Sequence, residues 1–318
     1  ALGAVAGALA VGHVAVGIIG TQAILIILAG LVAAGAAILT MYVSGDHARS
    51  PLRVGRRVAP VLVLVFLVVA VAIPDWPGHV LRSGPAVRPE VYMIVSREAQ
   101  DRRAAWLRWM LRGQVVSLEE GRNSVIGVMD YPGPVRTLLV SGKPDASDSV
   151  VADLRTQYLA AHLPLAMHPR PQTVAIIGLG SGATAGAALA HPVREVTCFE
   201  IEPAIGRALP LFESINRGCW RDPRLTLRYG DGRAQLLVSR ARYDVIISEP
   251  SNPWMSGPSR LFTREFYALA KRRLATDGIF CQWLQLYRLT TGDLLMELRT
   301  FLSEFPNASL WVTSLGDT

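Results

Sequence analysis

Charge is what this sequence has least of. Asp, Glu, Lys and Arg make up 18% of its 318 residues, against about 25% in an ordinary globular domain. Residues 1–45 contain none of the four. With hydrophobic residues at 51%, this composition excludes intrinsic disorder, collagen and coiled coil. Cysteine is also scarce. Cys198, Cys219 and Cys281 stand far apart without a CxxC pair, so neither a zinc site nor a disulfide framework is expected. The six histidines show no metal-ligand spacing, and no metal is expected. Lysine occurs only at Lys143 and Lys271, so the net charge of +7 rests on arginine. Basic and aromatic residues do not interleave as in a nucleic-acid groove, and no nucleic-acid partner is expected.

What is there, first, is apolar sequence. Ala1–Gly20, Ala23–Val43 and Val58–Pro74 are three nearly uncharged runs. A helix crossing a bilayer needs about 20 such residues, so residues 1–75 are expected to form about three transmembrane helices. The first run lacks the basic start and cleavage site of a signal peptide. Small residues at helical spacing, Gly3, Ala6, Gly7, Ala10, Gly30 and Ala34, suit close helix packing in lipid. The expected setting is multi-pass in the plasma (inner) membrane, with the lipid bilayer and other membrane-complex subunits as partners. Arg49, Arg53, Arg56 and Arg57 place the loop after the second run in the cytoplasm, which would put the rest outside. The equally basic stretch Arg82–Arg112 argues the other way, so the side stays open. The chain opens on Ala1 and is expected to be part of a longer one. Residues 76–113 read as a linker. Within it, Arg102–Arg112 reads as a basic interfacial helix carrying Trp106 and Trp109.

The pattern changes near Gln114. VVSLEE, NSVIGVMDY and RTLLVSG predict a small antiparallel sheet over 114–148, with an exposed loop at Gly142–Ser149. A helix is expected over Ser149–His162. Residues 149–318 then alternate between strand and helix, which predicts a Rossmann-like, methyltransferase-type doubly wound sheet. Its strands fall at Thr173–Gly178, Glu195–Glu200, Leu225–Tyr229, Asp244–Ser248 and Gly278–Leu284. Its helices include Thr184–Ala190, Glu202–Phe212 and Thr263–Leu274, and LWVTSL near the end reads as a sixth strand. The fold class is a membrane α-helical segment plus this α/β domain.

Four candidate stations lie at the carboxyl ends of those strands, where ligands bind in such sheets. Gly178, Gly180, Ser181 and Gly182 form a glycine loop that lets a ligand approach the backbone. Glu200 lies 22 positions after Gly178, where an acidic side chain accepts hydrogen bonds from ribose hydroxyls. Asp231 and Gly232 suit an adenine contact, and Glu249–Trp254 closes the fourth strand. Together they predict a nucleoside site.

These motifs resemble the spermidine synthase (polyamine aminopropyltransferase) family over about Val115–Trp311. QYLAAHLPLAMHPRPQTVAIIGLGSGAT is similar to its helix and glycine loop, Glu200-Ile201-Glu202 to its ribose element, and Tyr229-Gly230-Asp231-Gly232 to its adenine-side element. DVIISEPSNPWMSGPSRLFTREFY is similar to its catalytic loop. With the apolar runs, the chain resembles the fused multi-spanning-membrane/spermidine synthase-like bacterial proteins, which commonly read GLGSG and SEPSNPW. The resemblance implies decarboxylated S-adenosylmethionine as the group donor, without a metal, and a small amine as the acceptor. It implies Glu249 as the base and Gln157 and Asn252 as acceptor-pocket residues. It also implies a closing strand beyond Thr318.

The chain departs from the family where acids are expected. Ser181, Asn252 and Tyr158 stand at positions where the family carries negative charge, and Glu249 is longer than the family's Asp. The site is therefore expected to be short of negative charge and to favour a small acceptor amine. Two alternatives follow from the same departures. One is an S-adenosylmethionine-dependent methyltransferase. The other is a catalytically lapsed accessory subunit of a membrane complex. An active transferase would face the cytoplasm, where its cofactor is made.

Overall fold

The computed structural model describes residues 16–43 and, apart from 134, 151–152 and 287, residues 99–313, with scattered positions between. The chain divides into two compact units, Ala1–Leu81 and Arg82–Thr318.

In the first unit, α1 (Val16–Val43) carries the second apolar run. It exposes Leu25, Ile27, Leu28, Leu31, Val32, Ile38 and Leu39. Gly20 breaks its regular geometry (φ 78, ψ 159), and the side chains of 16–19, 37 and 40–43 lie outside the described residues. Among the described residues no helix is long and apolar enough to cross a membrane. The expectation of three transmembrane helices is corrected to that extent. Most of the first and third runs lies outside the described residues.

In the second unit, α2 (Arg102–Met110) forms where the basic helix was expected. The side chains of Trp106 and Trp109 lie outside the described residues. The small sheet follows, with β1 (Gln114–Glu120), β2 (Val125–Tyr131), β3 (Val135–Val140) and β4 (Lys143–Ser147) in antiparallel order β1-β2-β3-β4. The fourth strand corrects the expected exposed loop at Gly142–Ser149. KPDAS has no apolar alternation, and it becomes a strand because β3 offers it a pairing edge, Thr137 against Ser147 and Leu138 against Ala146. Ala146 and Ser147 are buried in consequence.

The larger sheet contains β5 (Thr173–Ile177), β6 (Glu195–Glu200), β7 (Leu225–Tyr229), β8 (Tyr243–Ser248) and β9 (Leu274–Gln282). All its pairings are parallel and its order is β7-β6-β5-β8-β9. The strand order reverses at β5. Both faces are covered, so TVAII and DVIIS are nearly continuous apolar runs. Successive side chains point to opposite faces. Val174, Ile176, Val245 and Ile247 therefore join one core with Leu154, Ala161 and Leu165 of α3 (Asp153–Met167) and Ala185 and Ala188 of α4 (Ala183–Leu189). Ala175, Ile177, Ile246 and Phe280 join a second core with Phe266, Tyr267 and Leu269.

After β6 come α5 (Pro203–Ala208), a 3-10 turn at Leu209–Phe212 and the single-turn α6 (Glu213–Asn216). Helix α7 (Gly232–Val238) follows β7, and α8 (Arg264–Arg273) precedes β9. An unexpected helix, α9 (Thr291–Glu304), closes the described chain. Its signal was present in the sequence: Thr290 and Asp293 form a reciprocal capping box. The expected strand LWVTSL does not form over residues 310–313, and 314–318 lie outside the description.

Candidate active site

The site gathers at the carboxyl edge of the parallel sheet. β5 runs straight into Gly178, whose φ is +98° and whose added Cβ would lie 2.3 Å from the Glu249 carbonyl oxygen. Only glycine lets the loop after β5 pass so close to the loop after β8. Gly182 caps α4 in the left-handed region, φ 79°. Ser181 between them is fully buried. Its Oγ donates to Gln157 Oε1 at 2.5 Å, and Gln157 Nε2 donates to the Ser147 carbonyl at 3.2 Å. Glycine loop, α3 and β4 are thereby tied into one polar cluster.

Glu200 ends β6 and is 5% exposed. Its Oε2 accepts from the Leu179 N–H at 2.9 Å and its Oε1 from the Glu202 N–H at 2.8 Å. Burial pushes the carboxyl up to about 7, against the downward pull of those backbone donors, and the Asp145 charge adds to the rise. The expected ribose ligand is thus also the brace of the glycine loop. Glu202 has a different task from its neighbour. Its Oε2 accepts from the Asn123 and Ser124 N–H groups, and its Oε1 caps α5 through the Ala204 N–H. It fastens the β1–β2 turn to the parallel sheet.

Asp231 is exposed and caps α7, with Oδ1 accepting from the Arg233 N–H at 2.9 Å and the Ala234 N–H at 3.2 Å. Gly232 follows it and packs against Ile177 and Phe199. Glu249 follows β8 on the face of Val245 and Ile247. There its Oε2 meets the Thr184 hydroxyl at 2.5 Å. Burial pushes the Glu249 carboxyl up to about 7. The Thr184 hydrogen bond pulls it down, and the Asp153 and Asp145 charges push it up further. Asn252 is fully buried in the same loop. Tyr158 turns away from this cluster, its hydroxyl donating to the Ile215 carbonyl at 2.8 Å.

Two acids were missed in the sequence. Asp145 on β4 accepts from Ser251 Oγ at 2.9 Å, pairs with Lys143 and acts on both Glu200 and Glu249. Asp153 on α3 accepts from Ser147 Oγ at 2.6 Å. Both lie beside the cluster, with Asp145 already ion-paired to Lys143. No motif marks Asp145, because its place depends on the pairing of β4 with β3. His162 and His191, 29 residues apart, also meet at 2.8 Å between Nδ1 and Nε2. Burial lowers both. Among the described residues no group of three or more His, Cys, Asp or Glu is disposed to hold a metal ion.

A parallel sheet reversing order at β5, a glycine loop opening a helix, and acids at the ends of β6 and β8 define a Rossmann-type α/β domain, here with a small antiparallel sheet before it. Residues 154–314 match the spermine/spermidine synthase domain, and the chain belongs to that family. It is 35% identical over 167 residues to the spermidine synthase of Dictyostelium discoideum, covering 50% of this chain and 56% of that protein. It is 35% identical over 124 residues to the polyamine aminopropyltransferase of Bacillus subtilis (strain 168), covering 38% and 44%. The chain thus spans about half the length of these curated relatives. The crystal structure of a spermidine synthase in complex with the transition-state analogue AdoDATO matches with a TM-score of 0.56 at 24% identity, covering 61% of this chain and 66% of that one. The spermidine synthase from Thermotoga maritima matches with a TM-score of 0.54 at 24% identity, covering 61% and 65%. These two likenesses concern the fold.

Proposed function

We propose that this protein is an aminopropyltransferase, moving an aminopropyl group from decarboxylated S-adenosylmethionine to a small amine. The observation that carries the reading is Glu249. It is a largely buried carboxyl at the end of β8, against the glycine loop, pushed up to about 7. A base works best with its pKa near the working pH. Glu200 holds the ribose, Asp231 and Gly232 face the adenine, and Gly178, Gly180, Ser181 and Gly182 line the nucleoside. Gln157 and Asn252 line the acceptor pocket. The sulfonium leaves as a neutral thioether, so the enzyme needs an aligned amine and a proton acceptor rather than an acid.

The domains read as 114–148 for the small sheet and 149–318 for the nucleoside-binding part, with 76–113 as linker. We read residues 1–75 as the membrane-seated part of an inner-membrane protein. Their lack of charge and the exposed apolar side chains of α1 support this. The catalytic part then faces the cytoplasm. Cysteine placed at the exposed Thr276 should resist a membrane-impermeant reagent in intact cells and react after lysis.

One observation favours a second reading, a lapsed enzyme kept as an accessory subunit. Ser181 Oγ is spent on Gln157 Oε1, and Gln157 Nε2 on the Ser147 carbonyl. Incubation with decarboxylated S-adenosylmethionine and a panel of amines separates the two. The enzyme releases methylthioadenosine in step with an aminopropylated amine. Bound nucleoside without transfer to any amine rejects catalysis, and methylation from intact S-adenosylmethionine identifies a methyltransferase.

A further inference from the structure

Thr184 occupies the first turn of α4, two residues past Gly182, and is 3% exposed. Its Oγ1 lies between two oxygen atoms, the Gln157 carbonyl at 3.0 Å and Glu249 Oε2 at 2.5 Å. A hydroxyl has one hydrogen and can also accept, so it cannot donate to both. If Glu249 is ionised, the hydroxyl hydrogen points to the carboxylate. If Glu249 is protonated, the carboxylic acid donates to Thr184 and the hydroxyl turns to the Gln157 carbonyl. That carbonyl lies within α3, so the helix supplies a standing acceptor. Both charge states of Glu249 keep a partner, and neither requires the carboxyl to move.

We propose that Thr184 is a positioning residue for Glu249, a hydroxyl rotor that keeps a hydrogen bond to the base in both its charged and neutral forms and holds the charged form more strongly. The inference rests on the reading of Glu249 as the base. In the reaction the amine nitrogen attacks the carbon beside the sulfonium. The N–C bond forms, the C–S electron pair goes to sulfur, and the nitrogen's surplus proton passes to the Glu249 carboxylate. Thr184 then reverses its hydrogen bond. The groups acting on Glu249 are Asp153 from α3 and Asp145 from β4, and it acts in turn on Cys198 of β6 and Cys281 of β9. None of them is a cation, so the hydroxyl is the favourable partner for the ionised form.

The test is the carboxyl C=O stretching band of the full chain, followed by infrared difference spectroscopy across pH. The Glu249 component is the part absent from Glu249→Gln. Wild type should titrate near 7. Thr184→Val should move the midpoint upward by roughly one to two pH units, the worth of a hydrogen bond to a charged group, and Thr184→Ser should restore it. The acid limb of kcat should move the same way. If Thr184→Val does not fold, Thr184→Ala removes the hydroxyl with less bulk. An unchanged midpoint in the variant lacking the hydroxyl, or a Thr184→Ser midpoint as high as that variant's, overturns the proposal. A shifted midpoint in a protein that transfers nothing to any amine upholds the rotor and removes the base reading instead.

Discussion

Glu200 and Glu249 stand at the ends of β6 and β8, the two strands that flank β5, and burial pushes both carboxyls to about 7. Their partners differ. Glu200 is held by two main-chain N–H groups, Leu179 and Glu202, which can only donate. Such partners favour a fixed carboxylate and suit a residue that grips hydroxyl donors. Glu249 is held by a side-chain hydroxyl, which donates or accepts. That suits a residue that must take up a proton and give it back. Equal desolvation thus supports two roles, and the donor chemistry around each carboxyl separates them.

The strongest test of this contrast is Glu249→Gln. It keeps size and hydrogen bonding but removes the proton acceptor, so turnover should fall by about 10²–10⁴ while methylthioadenosine affinity stays near wild type in calorimetric titration. Equal losses in turnover and affinity would erase the distinction.

Next in size is the pH dependence of stability. Both carboxyls sit in the folded state near 7 instead of 4.5, so the folded chain holds more protons than the unfolded one between those values. Stability should therefore fall as pH rises from about 4.5 to 7, by on the order of 3 kcal/mol for Glu200 alone. Denaturant titrations should show that slope flatten in Glu200→Gln and in Glu249→Gln.

Glu200→Ala should weaken methylthioadenosine binding about tenfold or more, from the loss of about 1.5–3 kcal/mol of charge-assisted hydrogen bonding. It should also lower the melting temperature, because the Leu179 and Glu202 N–H groups lose their acceptor. Unchanged affinity would leave Glu200 as a brace alone.

The smallest effect belongs to Asp231. Asp231→Ala should cost about 0.5–2 kcal/mol of stability through the lost cap of α7. Asp231→Asn preserves the cap. A drop in nucleoside affinity in the Asn variant would assign the carboxylate to the ligand, and wild-type affinity would leave Asp231 as a cap.

Much of the domain was determined by the sequence alone. The apolar runs TVAII and DVIIS and the acids and glycines that follow them are local patterns, so the parallel strands, the glycine loop and the places of Glu200, Asp231 and Glu249 could be read without coordinates. A strand buried on both faces must be apolar throughout, and a tight turn with positive φ must use glycine. Only the tertiary structure decided what depends on distant partners. β4 exists because β3 pairs with KPDAS, and through it Asp145 reaches both glutamates. Thr184 lies 65 residues before Glu249, and no spacing announces their contact. It arises because α4 packs on the sheet face to which β8 turns alternate side chains. Periodicity reveals which face a residue takes, but only packing brings two faces together.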